Sequence, residues 1–306
     1  AMTAVDAGPI FIGGLSGSGK TQLRMVLGAH PEISLTRRTR LWDRFYARFG
    51  DLRDAANLDR CLPTILRDPG VQQLAPDERR VRRELAAGPP TYARLFALLH
   101  QHHAERTGRR RWGDQLGFIE RFADPIFAAF PSARMVHMVR DPHRRPSTGG
   151  GRRLVRRAKL GWETAMWLRS AELATHNQRR YHDGYLVVRY EAFSARPADT
   201  AEAVCSFIGE RFLPPMAEVV RGLRFDTSGT GAPRPAFVAT ELSPADAAFL
   251  DHYAGRELAR FGYSRTHPAL TGRDRLAFGL ATWPPNRMAM AAWRAFGTRP
   301  TTAGRW

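Results

Sequence analysis

The sequence predicts an α/β fold in which a central parallel sheet is flanked by helices. Two observations carry this. Short apolar runs alternate with segments of helical pattern, the order expected when helices cover both faces of a parallel sheet. The first of those runs, Pro9-Ile-Phe-Ile-Gly-Gly-Leu15, is closed by glycines and leads into a helical segment.

Pro9 to Leu15 reads as a buried strand, because an apolar run of this length without alternation suits a strand covered on both sides. Thr21 to Ala29 reads as a helix, with Leu23, Met25, Val26 and Leu27, and His30-Pro31 stops it. From Trp42 to about Gln101 the chain is polar and helical in pattern, with breaks expected at Pro63, Pro69 and Gly88-Pro89-Pro90. This stretch, residues 42–105, is the expected acceptor-side insertion, since binding functions vary on segments added to a fixed scaffold. Arg134-Met-Val-His-Met-Val139 is a second strand, Trp162 to Tyr181 a helix, and Tyr185 to Tyr190 a third strand. Ala198 to Ile208 places Ala201, Val204, Cys205 and Ile208 at core spacing on a helix. Ser243-Pro244-Ala245-Asp246 is a helix start, with serine as N-cap and proline in the first turn. Residues 8–270 therefore read as one domain, followed by a tail (271–306) rich in arginine and tryptophan.

Composition narrows the function classes. The hydrophobic share of 43% and charged share of 25% are ordinary for a globular chain. No apolar run is long enough to cross a bilayer, and Thr3 to Gly8 is too polar for a secretory signal, so a cytoplasmic location is expected. Cys61 and Cys205 lack metal-ligand spacing and read as buried thiols. The formal charge of +18 suits anionic ligands or acidic membranes, and no nucleic-acid motif accompanies it. The tail, with Trp283, Trp293, Phe296 and Trp306 among arginines, either packs on its own domain or touches a membrane or partner at its surface. Only two of the 47 basic residues are lysines, Lys20 and Lys159, so a lysine inside a motif stands out.

Lys20 is inside one. Gly14-Leu-Ser-Gly-Ser-Gly19-Lys20-Thr21 fits G-x-x-x-x-G-K-[ST] in full, with a strand before it and a helix after. Glycines let the backbone wrap until successive N–H groups point inward at phosphate oxygens, and the helix start adds partial positive charge. This makes the chain a P-loop fold. Gly17, Ser18, Gly19, Lys20, Thr21 and Gln22 are the expected phosphate-binding residues. The motif does not choose the nucleotide, and read alone it favours ATP or GTP with Mg²⁺.

Further blocks, in order, resemble the sulfotransferase family, in particular its bacterial and tyrosylprotein branch. They are Ala29-His30-Pro31-Glu32 with Thr39-Arg40, then Arg111-Trp112-Gly113-Asp114, then Phe130-Pro131 leading to Arg140-Asp141-Pro142. Val188-Arg189-Tyr190-Glu191 follows, then Thr227-Ser228, Leu242-Ser243-Pro244 and Gly262-Tyr263. The resemblance implies a sulfotransferase-like sheet and transfer of a sulfuryl group from 3′-phosphoadenosine 5′-phosphosulfate to a hydroxyl of a small-molecule, lipid or glycan acceptor. It implies no metal; the lack of a nucleic-acid motif separately argues against a specific nucleic acid as partner. The product nucleotide would be adenosine 3′,5′-bisphosphate. By resemblance, Arg140, Thr148, Ser147 and Arg152 hold the 3′-phosphate and the loop holds the phosphosulfate end. Three positions depart from the family pattern: Gly17 stands at the usual arginine, Arg38 at the glutamate that acts as base, and Gln115 at the usual lysine. Lys20 would then supply positive charge during catalysis, with Asp114 or Asp43 as base, and Arg38 and Arg40 are free to meet an anionic acceptor. The alternatives are a P-loop kinase or other NTP-dependent transferase, for which Asp141 is the one candidate metal-binding acid, and a non-catalytic nucleotide-binding protein.

Overall fold

The computed structural model describes residues 8–144, 153–225 and 242–297. Among these, β1 (Ile10–Gly14), β2 (Ile33–Arg37), β3 (Arg111–Gln115), β4 (Arg134–Val139) and β5 (Tyr185–Arg189) form a parallel sheet ordered β2-β3-β1-β4-β5. Helix α1 (Lys20–Gly28) follows β1. The long segment between β2 and β3 holds α2 (Ala55–Leu66), α3 (Pro69–Gln72), α4 (Glu78–Ala86) and α5 (Tyr92–Arg106). Beyond β3 come α6 (Ala123–Ala129), α7 (Arg153–Arg180), α8 (Tyr190–Ala195), α9 (Pro197–Ile208), α10 (Pro214–Gly222), α11 (Pro244–Arg260), α12 (Gly272–Ala277) and α13 (Trp283–Phe296).

β1 is buried along its whole length because both its faces are covered. Phe11 points to one side, meeting Trp42 and Trp112 edge-on at ring distances of 6.4 and 5.9 Å. Ile10 and Ile12 point to the other, packing with Leu23, Val136 and Val204. The chain leaves β1 for β2 on one side and returns to lay β4 and β5 on the other, with β3 filling the gap. The carboxyl ends of β3, β1 and β4 therefore bound a crevice where such sheets bind ligands.

Two expectations need correction. Pro63 does not break the chain: α2 runs through it, because Cys61, Leu62, Ile65 and Leu66 keep a continuous buried face that outweighs one lost N–H. Pro69 and Gly88-Pro89-Pro90 do fall at helix starts, the first directly after Asp68, whose side chain accepts from Gly70 N–H at 2.8 Å. β2 and β3 are also strands that apolar patterning does not announce. Both thiols are free and buried, and burial pushes Cys61 and Cys205 up to about 12. The tail, as far as residue 297, packs on the body: Met290 and Trp293 are buried among α7 and α11 residues, and Asn286 accepts from Gly161 N–H of α7 at 2.7 Å.

Candidate functional site

The loop between β1 and α1 takes left-handed backbone at Gly14, Gly17 and Gly19 (φ 110°, 79° and 88°). Gly19 shows why glycine is needed. Besides its positive φ, a Cβ there would lie 2.6 Å from the Tyr190 ring. Gly19 is also the N-cap of α1 and brings no capping side chain, so the first-turn amides have no intrahelical carbonyl to meet. That is the geometry of an anion site. Lys20 is buried, with Nζ donating to the Leu15 carbonyl at 2.7 Å and lying against Gly117 at the end of β3. Ser18 is sealed under the loop, and Thr21 is exposed on its rim. The Gln22 side chain turns aside and donates to the Arg224 carbonyl at 2.9 Å.

Arg140, the residue after β4, reaches the same loop. Its Nη1 donates to the Gly17 carbonyl at 3.1 Å, and its guanidinium lies 4.1 Å from the centre of the Tyr190 ring. Its own carbonyl accepts from Trp167 Nε1 at 2.9 Å. Glu191 fastens the next turn: Oε1 accepts from Asp141 N–H at 3.0 Å and Oε2 from the Tyr263 hydroxyl at 2.9 Å. The blocks around residues 140, 190 and 263 are thus one assembly, with Tyr190 as the surface between Gly19 and Arg140. The Asp141 carboxylate is taken by His143, whose N–H and Nδ1 both meet Oδ1 at 2.9 Å. Ser147, Thr148, Arg152, Thr227 and Ser228 lie outside the described residues.

Beneath the loop sits a group that sequence reasoning missed. Glu120 is fully buried, and its Oε2 accepts from Gly14 N–H at 3.0 Å. Oε1 accepts from Ser170 Oγ at 2.7 Å and faces His137 Nε2 at 3.2 Å. His137 in turn meets the Tyr185 hydroxyl at 2.7 Å. Gly13 makes room, because a Cβ on it would fall 2.7 Å from Oε2. Burial alone would raise the Glu120 pKa, but the His137 charge and hydrogen bonds from His137 and Ser170 outweigh it and hold the carboxyl at about 2. The available signal was His137 itself, a polar residue in the middle of the apolar run Met135–Val139.

The β2–β3 edge is built differently. Asp114 is fully buried; Thr36 Oγ1 donates to Oδ1 at 3.0 Å and Thr39 Oγ1 to Oδ2 at 2.5 Å. Burial pushes its carboxyl up to about 6, and the two hydroxyls offset only part of that. Asp114 therefore pins the turn after β2, which Arg38 N–H also ties to the Gln115 carbonyl at 3.1 Å. Arg38 and Arg40 sit on this turn with φ of 54° and 58°. Arg38 is exposed, whereas Arg40 pairs with Asp43 at 2.9 Å. Gln115, on the buried strand end, is closed off from solvent.

Comparison with known proteins bears on this arrangement. Residues 9–214, about two thirds of the chain, match a family model described as "Sulfotransferase family". Solved structures resemble the chain more loosely. The sulfotransferase domain of the Synechococcus PCC 7002 olefin synthase is 17% identical, with 94% of each chain covered and a TM-score of 0.45. A sulfotransferase from Alicyclobacillus acidocaldarius is 16% identical, covering 84% of this chain and 96% of that one at a TM-score of 0.44. Retinol dehydratase in complex with androsterone and the inactive cofactor PAP is 10% identical, covering 89% and 84% at a TM-score of 0.37. A search of curated proteins returned no match.

Proposed function

The chain belongs to the sulfotransferase family, and from that premise we propose that it moves the sulfuryl group of 3′-phosphoadenosine 5′-phosphosulfate to a hydroxyl of a small-molecule, lipid or glycan acceptor. One observation carries the choice of donor: the Arg140 guanidinium reaches the Gly17 carbonyl at 3.1 Å, so a strand-end cation and an uncapped helix start share one crevice. A nucleotide with phosphate at both ends of its ribose needs that pair of sites. The residues fit such a ligand, since Gly19 leaves the first-turn amides to an anion and Tyr190 offers a flat wall beside them.

When bound, the donor supplies an activated sulfuryl group whose bond to phosphate oxygen breaks as the bond to the acceptor oxygen forms. The protein's part is to bind and to handle charge and proton. Amides of Gly17, Gly19 and Thr21 would hold the phosphosulfate end, Ser18 N–H being used on the Leu15 carbonyl at 3.2 Å, and Arg140 would hold the 3′-phosphate, with Ser147, Thr148 and Arg152 assigned to it by the family resemblance alone. Lys20 neutralises the negative charge that spreads over the transferring group, an interaction strongest in the transition state. Asp114 receives the acceptor's proton. Its carboxyl titrates near 6, close to the working range of a general base, and access to it requires the Thr39 hydroxyl to turn away.

The test is a mass-spectrometric screen for sulfated products from hydroxyl acceptors, with the phosphosulfate donor and no added metal. Lys20→Ala should lower kcat roughly a hundredfold or more while changing donor affinity far less. Turnover that needs ATP and Mg²⁺ would move the chain to the kinase reading.

A further inference from the structure

Helix α13 is buried on one side only, where Asn286, Met290 and Trp293 meet α7. Its opposite side presents Pro284, Met288, Ala291 and Ala295 to solvent. The preceding turns extend the same character with Leu276 and Leu280. Leu276, Leu280 and Met288 are 63%, 73% and 74% exposed, and they are three of the four large hydrophobics exposed among the described residues. A globular surface scatters such residues singly; here they follow one another along a single segment.

Basic charge dominates this strip, four arginines against the single acid Asp274. Arg273, Arg275, Arg287 and Arg294 are all exposed on the same segment. From Arg275 to Gly297 the sequence holds no acid, and Asp274 is consumed in the capping box with Thr271. Arg287 lies 4.7 Å above the Trp283 ring. Beside it, α11 and α13 enclose a groove of about 790 Å³ lined by His252, Tyr253, Trp283, Arg287 and Arg294. An apolar strip flanked by arginines and an interfacial tryptophan matches a surface with apolar depth and anionic headgroups.

We propose that residues 272–297 form an in-plane membrane anchor, with Leu276, Leu280 and Met288 entering the acyl boundary of an anionic leaflet while Arg287 and Arg294 meet lipid phosphates. A second copy of the chain fits less well, because two such faces would bring like-charged arginines together. The inference stands apart from the catalytic reading: it uses no residue of the phosphate loop and can fail without it.

The experiment is co-sedimentation of the full chain with vesicles of phosphatidylcholine alone and of phosphatidylcholine mixed with phosphatidylserine. Binding is expected only with phosphatidylserine and should weaken as salt rises. Met288→Asp and Leu280→Asp should each cut partitioning about tenfold or more, and Arg287→Glu with Arg294→Glu should remove the preference for anionic lipid. All four positions are exposed, and an unchanged far-ultraviolet circular dichroism spectrum and thermal unfolding midpoint certify that the variants are folded. Equal binding to both vesicle types, or Met288→Asp binding like the wild type, overturns the proposal. So does a concentration-dependent dimer in sedimentation that Met288→Asp dissolves, since the strip would then be covered by a second copy.

Discussion

Two carboxylates are sealed from solvent at the head of the sheet, and their surroundings push them in opposite directions. Glu120, under the phosphate loop, receives Gly14 N–H and Ser170 Oγ and faces His137, and is held at about 2. Asp114, the residue before the Gln115 carbonyl that anchors Arg38 N–H, accepts from two neutral hydroxyls and rises to about 6. Burial penalises both alike, and both carboxylates accept backbone and hydroxyl hydrogen bonds; the His137 imidazole beside Glu120, which has no counterpart at Asp114, makes the difference. The phosphate-loop side therefore has a fixed anion built into the loop's foundation, and the β2–β3 side keeps a group able to change its proton near neutrality.

The largest effect that can break this contrast is Glu120→Ala. It strips the acceptor from Gly14 N–H, Ser170 and His137 at once and should cost on the order of 3–5 kcal/mol in denaturant unfolding. A loss under about 1 kcal/mol would mean that the pair is incidental. Next comes pH. Glu120 is depressed on folding, so its contribution is present above about 4.5 and is lost as pH falls from there toward 2. Asp114 is raised, so its contribution is present below about 3.8 and is lost as pH rises through about 6. Each amounts to roughly 3 kcal/mol. Asp114→Asn should flatten the unfolding free energy between those two values while leaving the acid limb intact. The same variant sharpens the catalytic reading: with Asp114 as base, kcat rises with pH through about 6 in the wild type, and that limb vanishes in the variant. The smallest effect is at the rim. Arg40→Ala breaks a partly exposed ion pair with Asp43 and should cost less than about 1 kcal/mol.

The phosphate-loop side was the legible half. β1 and α1 announce themselves because an apolar run, glycines of positive φ and a lysine are local signals, and β4 and β5 are likewise continuous apolar runs. The β2–β3 edge was not legible as strands. β3 reads Arg-Trp-Gly-Asp-Gln, yet all five residues are buried, because distant groups satisfy their polar atoms. Arg111 donates to the Gly8 and Ile208 carbonyls and pairs with Glu210, and Asp114 takes its two threonines. None of those partners is near in sequence. Glu120 was hidden for the same reason: its partners come from residues 14, 137 and 170. The blocks around Arg140, Tyr190 and Tyr263 were legible as family pattern, but the stack of Arg140 on Tyr190 that joins them to the loop is a tertiary fact.

The claim on which the rest depends is that Arg140 and the phosphate loop together grip a doubly phosphorylated adenosine. Titration calorimetry with adenosine 3′,5′-bisphosphate, without metal, tests it most directly. Binding is expected to be tighter than that of ATP with Mg²⁺ and to be weakened about a hundredfold by Arg140→Ala, as for loss of charge-assisted hydrogen bonds to a phosphate. An Arg140→Ala variant that binds the bisphosphate as the wild type does, or a wild type that prefers ATP with Mg²⁺, would contradict it.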